Sequence, residues 1–179
     1  MININQLDSK YLEGFKLVAQ KLGVKLNSKG LDLEVFLAPS LSVEKTKEQL
    51  KVGISSHNEL YVALRLYKEN KDKETFKIDY PKKIKHLTFM LDASRNAVAK
   101  VSTVKDFLLN LVIFGYDALQ LYTEDTFEME DEPFFGYMRG AYTKEELQTI
   151  ESFVEKLGME LVPCIQTLAH LNAITRYRQ

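Results

Sequence analysis

The second half of the chain decides the fold, starting at the apolar run Leu87-Thr88-Phe89-Met90-Leu91. A helical pattern over residues 101–114 follows and ends at Gly115, and a second apolar run covers residues 118–122. The capping box Thr143-Lys144-Glu145-Glu146 then opens a helix through Leu157, and a third apolar run covers residues 159–165. Strand, helix, strand, helix and strand in this order predict right-handed crossovers and a parallel sheet.

The first half of the chain has a different pattern. Apolar residues at helical spacing predict a helix over residues 8–22, and Ser56 is placed to cap a second helix that runs to about Asn70. Alternating patterns predict strands over residues 31–38, a hairpin over residues 41–54 and a last strand over residues 75–78. The first half is therefore predicted to form a small α+β layer.

A polar stretch over residues 79–86, which contains Pro81, separates the two patterns. We therefore expect an α+β domain over residues 1–82 and an α/β domain over residues 83–179.

Composition excludes several classes of protein. The chain has 179 residues, of which 45% are hydrophobic and 27% are charged, so it is neither disordered nor of low complexity. Lys and Arg number 24 against 25 Asp and Glu, and the formal net charge of −1 gives no general attraction to nucleic acid or to an anionic membrane. The single cysteine, Cys164, excludes an internal disulfide and a Cys-rich zinc site.

Motif searches exclude further classes of protein. The N-terminus lacks a secretory pattern, and the most apolar run is too short to span a bilayer, so we expect a soluble, cytoplasmic protein. The phosphate-binding glycine motifs and the serine nucleophile elbow are missing from the sequence, and its three histidines are scattered. We therefore expect no cofactor and no metal.

Polar side chains follow each of the three apolar runs of the second half. The first run is followed by Asp92, Ser94, Arg95 and Asn96, the second by Thr123, Glu124 and Asp125, and the third by Gln166, Thr167, His170 and Asn172. Parallel α/β folds place their sites at the carboxyl ends of their strands. Guanidinium, carboxylate, amide and imidazole groups together suit a ligand with many hydroxyl groups.

Structural roles remain open for the same residues. Arg95 alone is typical of a surface ion pair, and Glu124 and Asp125, as neighbours on an extended chain, point in different directions. The acidic run over residues 128–132 is typical of a solvated loop. The aromatic residues of the long connection form either a sugar-stacking wall or the packing of the loop itself; they are Tyr122, Phe127, Phe134, Phe135, Tyr137 and Tyr142.

Four segments carry a family resemblance. They are Leu-Asp-Ala-Ser-Arg-Asn-Ala-Val over residues 91–98, Leu-Tyr-Thr-Glu-Asp-Thr over 121–126, Phe-Gly-Tyr-Met-Arg-Gly over 135–140, and Val-Pro-Cys-Ile-Gln-Thr-Leu-Ala-His-Leu over 162–171. The sequence resembles glycoside hydrolase family 20, and more narrowly its non-secreted, single-chain bacterial exo-β-N-acetylhexosaminidases. The resemblance is strong over residues 87–175, and the first half agrees in layout, a small α+β domain preceding a (β/α)8 barrel.

The resemblance implies a role for each strand-end residue. Arg95 matches the arginine that holds hydroxyls of the terminal sugar, and Glu124 and Asp125 match the acidic pair at the sugar pocket. The family's third-strand motif is usually Asp-x-Pro-Gly-His, and the same spacing here holds Gln166 and His170. His170 matches the histidine of the family motif, whereas Gln166 differs from the family aspartate in charge.

The resemblance also implies a reaction. Family members remove terminal non-reducing N-acetylglucosamine or N-acetylgalactosamine by retaining hydrolysis, in which the substrate's own 2-acetamido group attacks the anomeric carbon. The Asp-Glu pair that assists this step lies at the end of the fourth barrel strand. This sequence ends at Gln179, after the third, and a complete barrel needs about 250 residues. We therefore expect a truncated barrel with its first three β/α units and no catalytic residue, inactive alone.

Open sheet edges beside apolar faces predict that the fragment self-associates, with candidate surface at residues 112–114, 161, 162 and 165. The competing hypothesis is a self-sufficient carbohydrate-binding or regulatory α/β module without catalysis. A small α/β enzyme of unrelated chemistry is a third hypothesis, which the absent phosphate loops and nucleophile elbow disfavour.

Overall fold

The computed structural model describes residues 1–95, 97–132, 135–136 and 139–166. In this part of the chain, two sheets and four helices form a mixed α/β structure. The first sheet has the strand order β1-β2-β4-β3-β5. Its strands are β1 (Ile2–Asn3), β2 (Leu31–Leu37), β3 (Leu41–Lys45), β4 (Gln49–Ile54) and β5 (Phe76–Tyr80), and its helices are α1 (Ser9–Leu22) and α2 (Glu59–Asn70).

The first sheet contains the predicted hairpin and two parallel pairings, of β1 with β2 and of β2 with β4. Strands β3 and β4 are antiparallel, with Val43 opposite Val52. Strand β2 does not join the hairpin at β3, its neighbour in sequence, but pairs in parallel with β4. Alternation along a strand predicts a strand, but it does not predict which neighbour the strand pairs with.

The second sheet is parallel, as predicted, with the order β6-β7-β8. Its strands are β6 (Thr88–Asp92), β7 (Ala118–Tyr122) and β8 (Glu160–Cys164), connected by α3 (Val101–Ile113) and α4 (Lys144–Lys156). The capping box of α4 is confirmed: the Thr143 hydroxyl accepts from the Glu146 amide at 3.1 Å, and the Glu146 carboxylate accepts from the Thr143 amide at 3.1 Å.

Three local predictions were wrong. Asn58, not Ser56, occupies the N-cap position of α2, and the Ser56 hydroxyl donates to Asn58 Oδ1 at 2.7 Å. The alternation over residues 31–38 predicts that Leu37 shares the buried face of Leu33, but Leu37 is exposed at the end of β2. Val112 and Ile113 were expected at a stranded surface but are buried in the core, because the helices of the first half cover α3.

One continuous hydrophobic core joins the two sheets. Helices α1 and α2 pack against α3, α1 also packs against α4, and buried side chains from both halves belong to the same cluster. Polar contacts cross the same junction: the Tyr61 hydroxyl donates to the Lys156 carbonyl at 3.0 Å, and Arg65 Nε donates to the Ile113 carbonyl at 3.0 Å. The domain boundary at residues 82/83 stays a prediction. Within the described residues, every helix is too short or too polar to cross a membrane.

Candidate functional site

The register of the second sheet brings the strand ends together. Asp92 lies beside Tyr122, and Tyr122 lies beside Cys164, so the three carboxyl ends are level. Two further backbone bonds continue this alignment, from the Ala93 amide to the Tyr122 carbonyl at 2.9 Å and from the Thr123 amide to the Cys164 carbonyl at 3.2 Å. The chain segments that leave the strands therefore start from one edge of the sheet.

Asp92 organises the segment that leaves β6. Its Oδ1 accepts from the Ser94 amide at 2.8 Å and from the Ser94 hydroxyl at 2.7 Å, and its Oδ2 accepts from Arg95 Nη1 at 2.7 Å. Partial burial opposes ionisation of the carboxyl, but the hydrogen bonds from Ser94 and Arg95 outweigh it and lower the pKa of Asp92 to about 2. Asp92 is therefore an ionised anchor that holds the guanidinium end of the Arg95 side chain.

Arg95 lies above the end of β7. Its Nη2 is 3.6 Å from Glu124 Oε1, and its guanidinium carbon is 5.1 Å from the centre of the Tyr122 ring. The Tyr122 hydroxyl donates to Glu124 Oε1 at 2.6 Å, and this bond is the main cause that raises the pKa of Tyr122. The Arg95 side chain is 55% exposed, so its guanidinium has donors free to face a ligand.

Glu124 has an unusual backbone conformation. Its φ is +51°, the only positive φ at a non-glycine residue in the described part of the chain. The turn is closed by the Thr126 amide and the Thr126 hydroxyl, which both donate to the Thr123 carbonyl, at 2.9 and 2.7 Å. A left-handed residue with a long side chain costs roughly 1–2 kcal/mol and is found mostly where function or packing demands it. Here the conformation directs the Glu124 carboxylate to Tyr122 and Arg95.

Asp125 has a different partner. Its Oδ1 accepts from Arg139 Nη1 at 2.6 Å, and both side chains are partly shielded. Gly136 has a φ of +68°, and a Cβ there would lie 2.4 Å from the Asp125 carbonyl oxygen, so only glycine fits. Asp125 therefore anchors the long connection between β7 and α4. The prediction that Glu124 and Asp125 point in different directions agrees with their separate partners.

Gln166 and His170 complete the predicted site residues. Gln166 is half-buried and follows the end of β8 by two residues. His170 lies outside the described residues, as do Asn96, Thr167, Phe134 and Tyr137. The binding roles of Arg95, Glu124, Asp125, Gln166 and His170 stay predictions.

Three described aromatic residues of the long connection, Phe127, Phe135 and Tyr142, make packing or hydrogen-bond contacts. The rings of Phe127 and Phe135 are 5.0 Å apart and nearly perpendicular, and the Tyr142 hydroxyl donates to the Ala99 carbonyl at 2.8 Å. Phe127 and Phe135 also line a cavity of about 920 Å³ beside the ends of β7 and β8. Neither Arg95 nor Glu124 lines that cavity, so it is separate from the charged cluster.

Sequence reasoning missed the role of Arg139. It lies 14 residues after its partner Asp125, across a connection without regular periodicity, and no local pattern signals the pair. The Asp92–Arg95 pair did have a signal, because an aspartate after a strand with a serine two residues on is typical of a side-chain-capped turn.

Comparisons with known proteins bear on the fold. No family model matches the chain, and no curated protein matches it. Solved structures do match. They include the Streptomyces plicatus N-acetyl-β-hexosaminidase in complex with Thio-NAglucal (TM-score 0.76, 16% identity, covering 96% of this chain and 42% of that one). A second is the β-N-acetylhexosaminidase of Bacteroides fragilis (TM-score 0.74, 18% identity, 98% and 42% covered).

A third match is the family 20 exo-β-N-acetylglucosaminidase of Vibrio harveyi in complex with N-acetylglucosamine (TM-score 0.71, 16% identity, 90% and 32% covered). The chain spans about a third to two-fifths of the length of these structures. The predicted resemblance is confirmed at the level of the fold: this chain has the fold of a part of a glycoside hydrolase family 20 enzyme.

Proposed function

We propose that the chain is a part of a β-N-acetylhexosaminidase and forms one side of its sugar site. The observation that carries the proposal is the cluster of Arg95, Asp92 and Glu124 at the carboxyl ends of parallel strands, in a chain whose fold is similar to that of family 20 enzymes. The strands β6, β7 and β8 are then the first three strands of a (β/α)8 barrel, whose sites lie at this end of the strands.

Arg95 donates to adjacent hydroxyls of the terminal sugar in this proposal. Its Nη1 is held by Asp92 at 2.7 Å, which leaves the other guanidinium donors for ligand oxygens. The Glu124 carboxylate lies 3.6 Å from Arg95 Nη2, beside the proposed position of the sugar. In this proposal it accepts a hydrogen bond from a further hydroxyl of the sugar. Gln166 and His170 are proposed to approach the same sugar from the third strand end.

Of the residues proposed to bind the sugar, Asp125 has the least support from the structure. The Arg139 guanidinium already holds its Oδ1 at 2.6 Å. A supporting role, in which Asp125 fixes the turn that presents Glu124, agrees better with its contacts than direct contact with substrate.

The substrates are terminal non-reducing N-acetylglucosamine or N-acetylgalactosamine glycosides, hydrolysed with retention through the substrate's own acetamido group. The general acid and the aspartate that orients the acetamido group come from outside this chain. The isolated chain is therefore expected to be inactive and to self-associate through its open sheet edges. The whole protein is proposed to be cytoplasmic.

A single observation tests the proposal most directly. We expect the reading frame beyond codon 179 to encode an Asp-Glu pair at the end of a further apolar strand. Its absence from a continuing frame would favour a carbohydrate-binding or regulatory module that never catalysed hydrolysis.

Assays of the purified chain test the same proposal. We expect no turnover of an aryl N-acetylglucosaminide above a matched blank, because no proton donor reaches the glycosidic oxygen. Hydrolysis by the isolated chain would contradict the assignment of the catalytic pair to residues outside it. Light scattering at micromolar concentration tests self-association, for which a clean monomer is the contrary result.

A further inference from the structure

Two close approaches form at the junction between the two halves of the chain, and each involves a glycine. A Cβ at Gly14 of α1 would lie 2.1 Å from the Tyr61 hydroxyl of α2 and 2.4 Å from the carbonyl oxygen of Lys156 at the end of α4. A Cβ at Gly158, between α4 and β8, would lie 2.4 Å from Cγ and 2.6 Å from Nδ1 of His57. The imidazole of His57 therefore packs directly on the backbone that leaves α4, and the Tyr61 hydroxyl lies where α1, α2 and α4 meet.

A chain of hydrogen bonds crosses this junction and determines where the proton of His57 lies. The Tyr61 hydroxyl donates to the Lys156 carbonyl at 3.0 Å, because a carbonyl oxygen can only accept. The single hydroxyl proton of Tyr61 is used in that bond, so its oxygen accepts from His57 Nε2 at 2.9 Å. In the neutral imidazole the proton is therefore on Nε2, and Nδ1, on the ring edge that packs against Gly158, is the nitrogen that takes up a second proton.

The surroundings of His57 oppose a positive charge on its ring. The residue is half-buried, and Tyr11 of α1 makes an edge-to-face contact with the imidazole, with the ring centres 4.7 Å apart. The ammonium of Lys10 lies 4.7 Å from the centre of the Tyr11 ring and 3.7 Å from Asp8. Burial first, and then the positive charge of Lys10, lower the pKa of His57.

The other charged and titratable groups at the junction do not offset that charge. Tyr61 belongs to α2, and burial raises its pKa, so its hydroxyl keeps its proton and stays neutral. The Lys156 ammonium of α4 pairs with Glu13 of α1 at 2.8 Å. Within the part of the chain that the structure describes, no carboxylate contributes to the shifted pKa of His57. An imidazolium here would be a partly buried cation without an acidic partner, which destabilises the packed junction.

We propose that His57 is a pH-sensitive switch in the junction between the two halves: the neutral imidazole holds the end of α4 against α1 and α2, and proton uptake at Nδ1 loosens that contact. The unfolded chain takes up this proton near pH 6.5, and the folded chain takes it up at a lower pH. Stability that the neutral imidazole gives above pH 6.5 is therefore lost as the pH falls through the lower, folded-state pKa. The switch is independent of the hexosaminidase proposal.

The unmodified chain provides the first test. Nuclear magnetic resonance follows the imidazole signals of His57 and of the exposed His86, together with the Gly158 amide, between about pH 8 and pH 4. We expect the midpoint of His57 to lie below that of His86, and the Gly158 amide to shift with the His57 midpoint. Equal midpoints for the two histidines, or a Gly158 amide that does not follow His57, would overturn the proposal.

A variant that cannot titrate isolates the effect on stability. His57→Gln keeps a side-chain N–H donor for Tyr61 but takes up no proton. Urea unfolding at about pH 7.5 and pH 5.5 gives the unfolding equilibrium constant, which one extra proton on the unfolded chain raises by up to roughly tenfold per pH unit. We expect this constant to rise at least about twofold more in the wild-type chain than in His57→Gln. His86→Gln is the matched control and should keep the wild-type pH dependence, whereas the same pH dependence in His57→Gln overturns the proposal.

Hydrogen exchange locates the loosening at the end of α4. The Met159 amide donates to the Val154 carbonyl at 3.1 Å and follows the Gly158 backbone on which His57 packs. After correction for the intrinsic exchange rate, protection of this amide should fall between about pH 7 and pH 5.5 in the wild-type chain and stay constant in His57→Gln. An equal loss of protection in both chains contradicts the proposal.

If His57→Gln does not fold, the charge beside His57 is changed instead. Lys10→Gln removes the cation that lowers the pKa of His57, so the midpoint of His57 should move upward, toward that of His86. Lys16→Gln, at an exposed position of the same helix, is the matched control and should leave the midpoint of His57 unchanged. An unchanged or lower midpoint in Lys10→Gln, or an equal upward shift in Lys16→Gln, overturns the proposal.

Discussion

Two aspartates at opposite ends of the second sheet have similar partners and different surroundings. Asp92 follows β6 at its carboxyl end, and Asp117 precedes β7 at its amino end. Each accepts from a backbone amide, an uncharged side chain and a cation. For Asp92 the donors lie within three residues, whereas for Asp117 they are Leu87, Asn58 and Lys82, all at least 30 residues away.

The difference shows how one kind of charged group serves two purposes. Asp117 is buried and joins α2 of the first half to the start of the second sheet, so its contacts hold the two halves together. Asp92 is partly exposed, and its contacts hold one arginine in an open position. In parallel α/β barrels, the amino ends of strands contribute stability and the carboxyl ends contribute function. We expect these two ends to divide in the same way.

Replacement of Asp117 is expected to give the largest effect. Asp117→Ala leaves Asn58, Lys82 and the Leu87 amide without their common acceptor, and the free energy of unfolding should fall by about 2–4 kcal/mol. Asp92→Ala, whose donors can turn to water, should cost about 1 kcal/mol. Urea unfolding of both variants measures the two losses. Equal losses would mean that the junction and the strand end are held with equal strength.

Replacement of Arg95 tests the functional side of the comparison. Arg95→Ala should leave the free energy of unfolding close to that of the wild-type chain, because the side chain is largely exposed. In the complete hexosaminidase that we propose, the loss of a charged donor to sugar hydroxyls should lower kcat/KM roughly tenfold to hundredfold. Lys51→Ala, which removes an exposed cation of the first sheet, is the control. Wild-type kcat/KM in Arg95→Ala would reject the sugar-binding assignment.

Acid titration compares the two carboxylates directly. Burial opposes ionisation of Asp117, but hydrogen bonds from Lys82, Leu87 and Asn58 lower its pKa, and the pKa of Asp92 is lowered to about 2. The unfolded chain therefore takes up protons first as the pH falls below 3.8, and stability present above that pH is lost below it. We expect Asp92→Asn and Asp117→Asn each to reduce the slope of stability against pH between about pH 4 and pH 2. An unchanged slope in either variant would show that its carboxylate is not preferentially ionised in the folded chain.

Sequence patterns predicted the elements whose signals are local. The capping box of α4 lies within four residues, and the apolar runs of the second sheet each lie within a single strand. The pairing of β2 with β4 and the Asp117 network depend on residues far apart in sequence. No periodicity encodes these contacts, because they arise only when the elements pack.

In the candidate site, too, features with a local sequence signal were predicted and long-range contacts were not. Its residues were identified at the ends of the apolar runs, and the register of the strands brings Arg95 and Glu124 together. The ion pair of Asp125 with Arg139 and the left-handed backbone of Glu124 were not predicted. Both arise from the folding of the long connection, whose sequence has neither helical nor strand periodicity.

The smallest expected effect concerns the backbone of Glu124, and a pair of variants isolates it. Glu124→Gly and Glu124→Ala both remove the carboxylate that accepts from Tyr122, so the lost hydrogen bond cancels in the comparison. What remains is the cost of a Cβ at a φ of +51°, roughly 1–2 kcal/mol, against the extra chain entropy of glycine, about 0.5–1 kcal/mol.

Glu124→Gly should therefore be the more stable of the two by about 0.5–1 kcal/mol. At the neighbouring Asp125, where φ is not positive, the order should reverse and Asp125→Ala should be more stable than Asp125→Gly. Thermal unfolding of the four variants measures both differences. If alanine is preferred at both positions, the turn relaxes when the carboxylate is lost, and the left-handed conformation is then maintained by the bond from Tyr122 instead of by the closure of the loop.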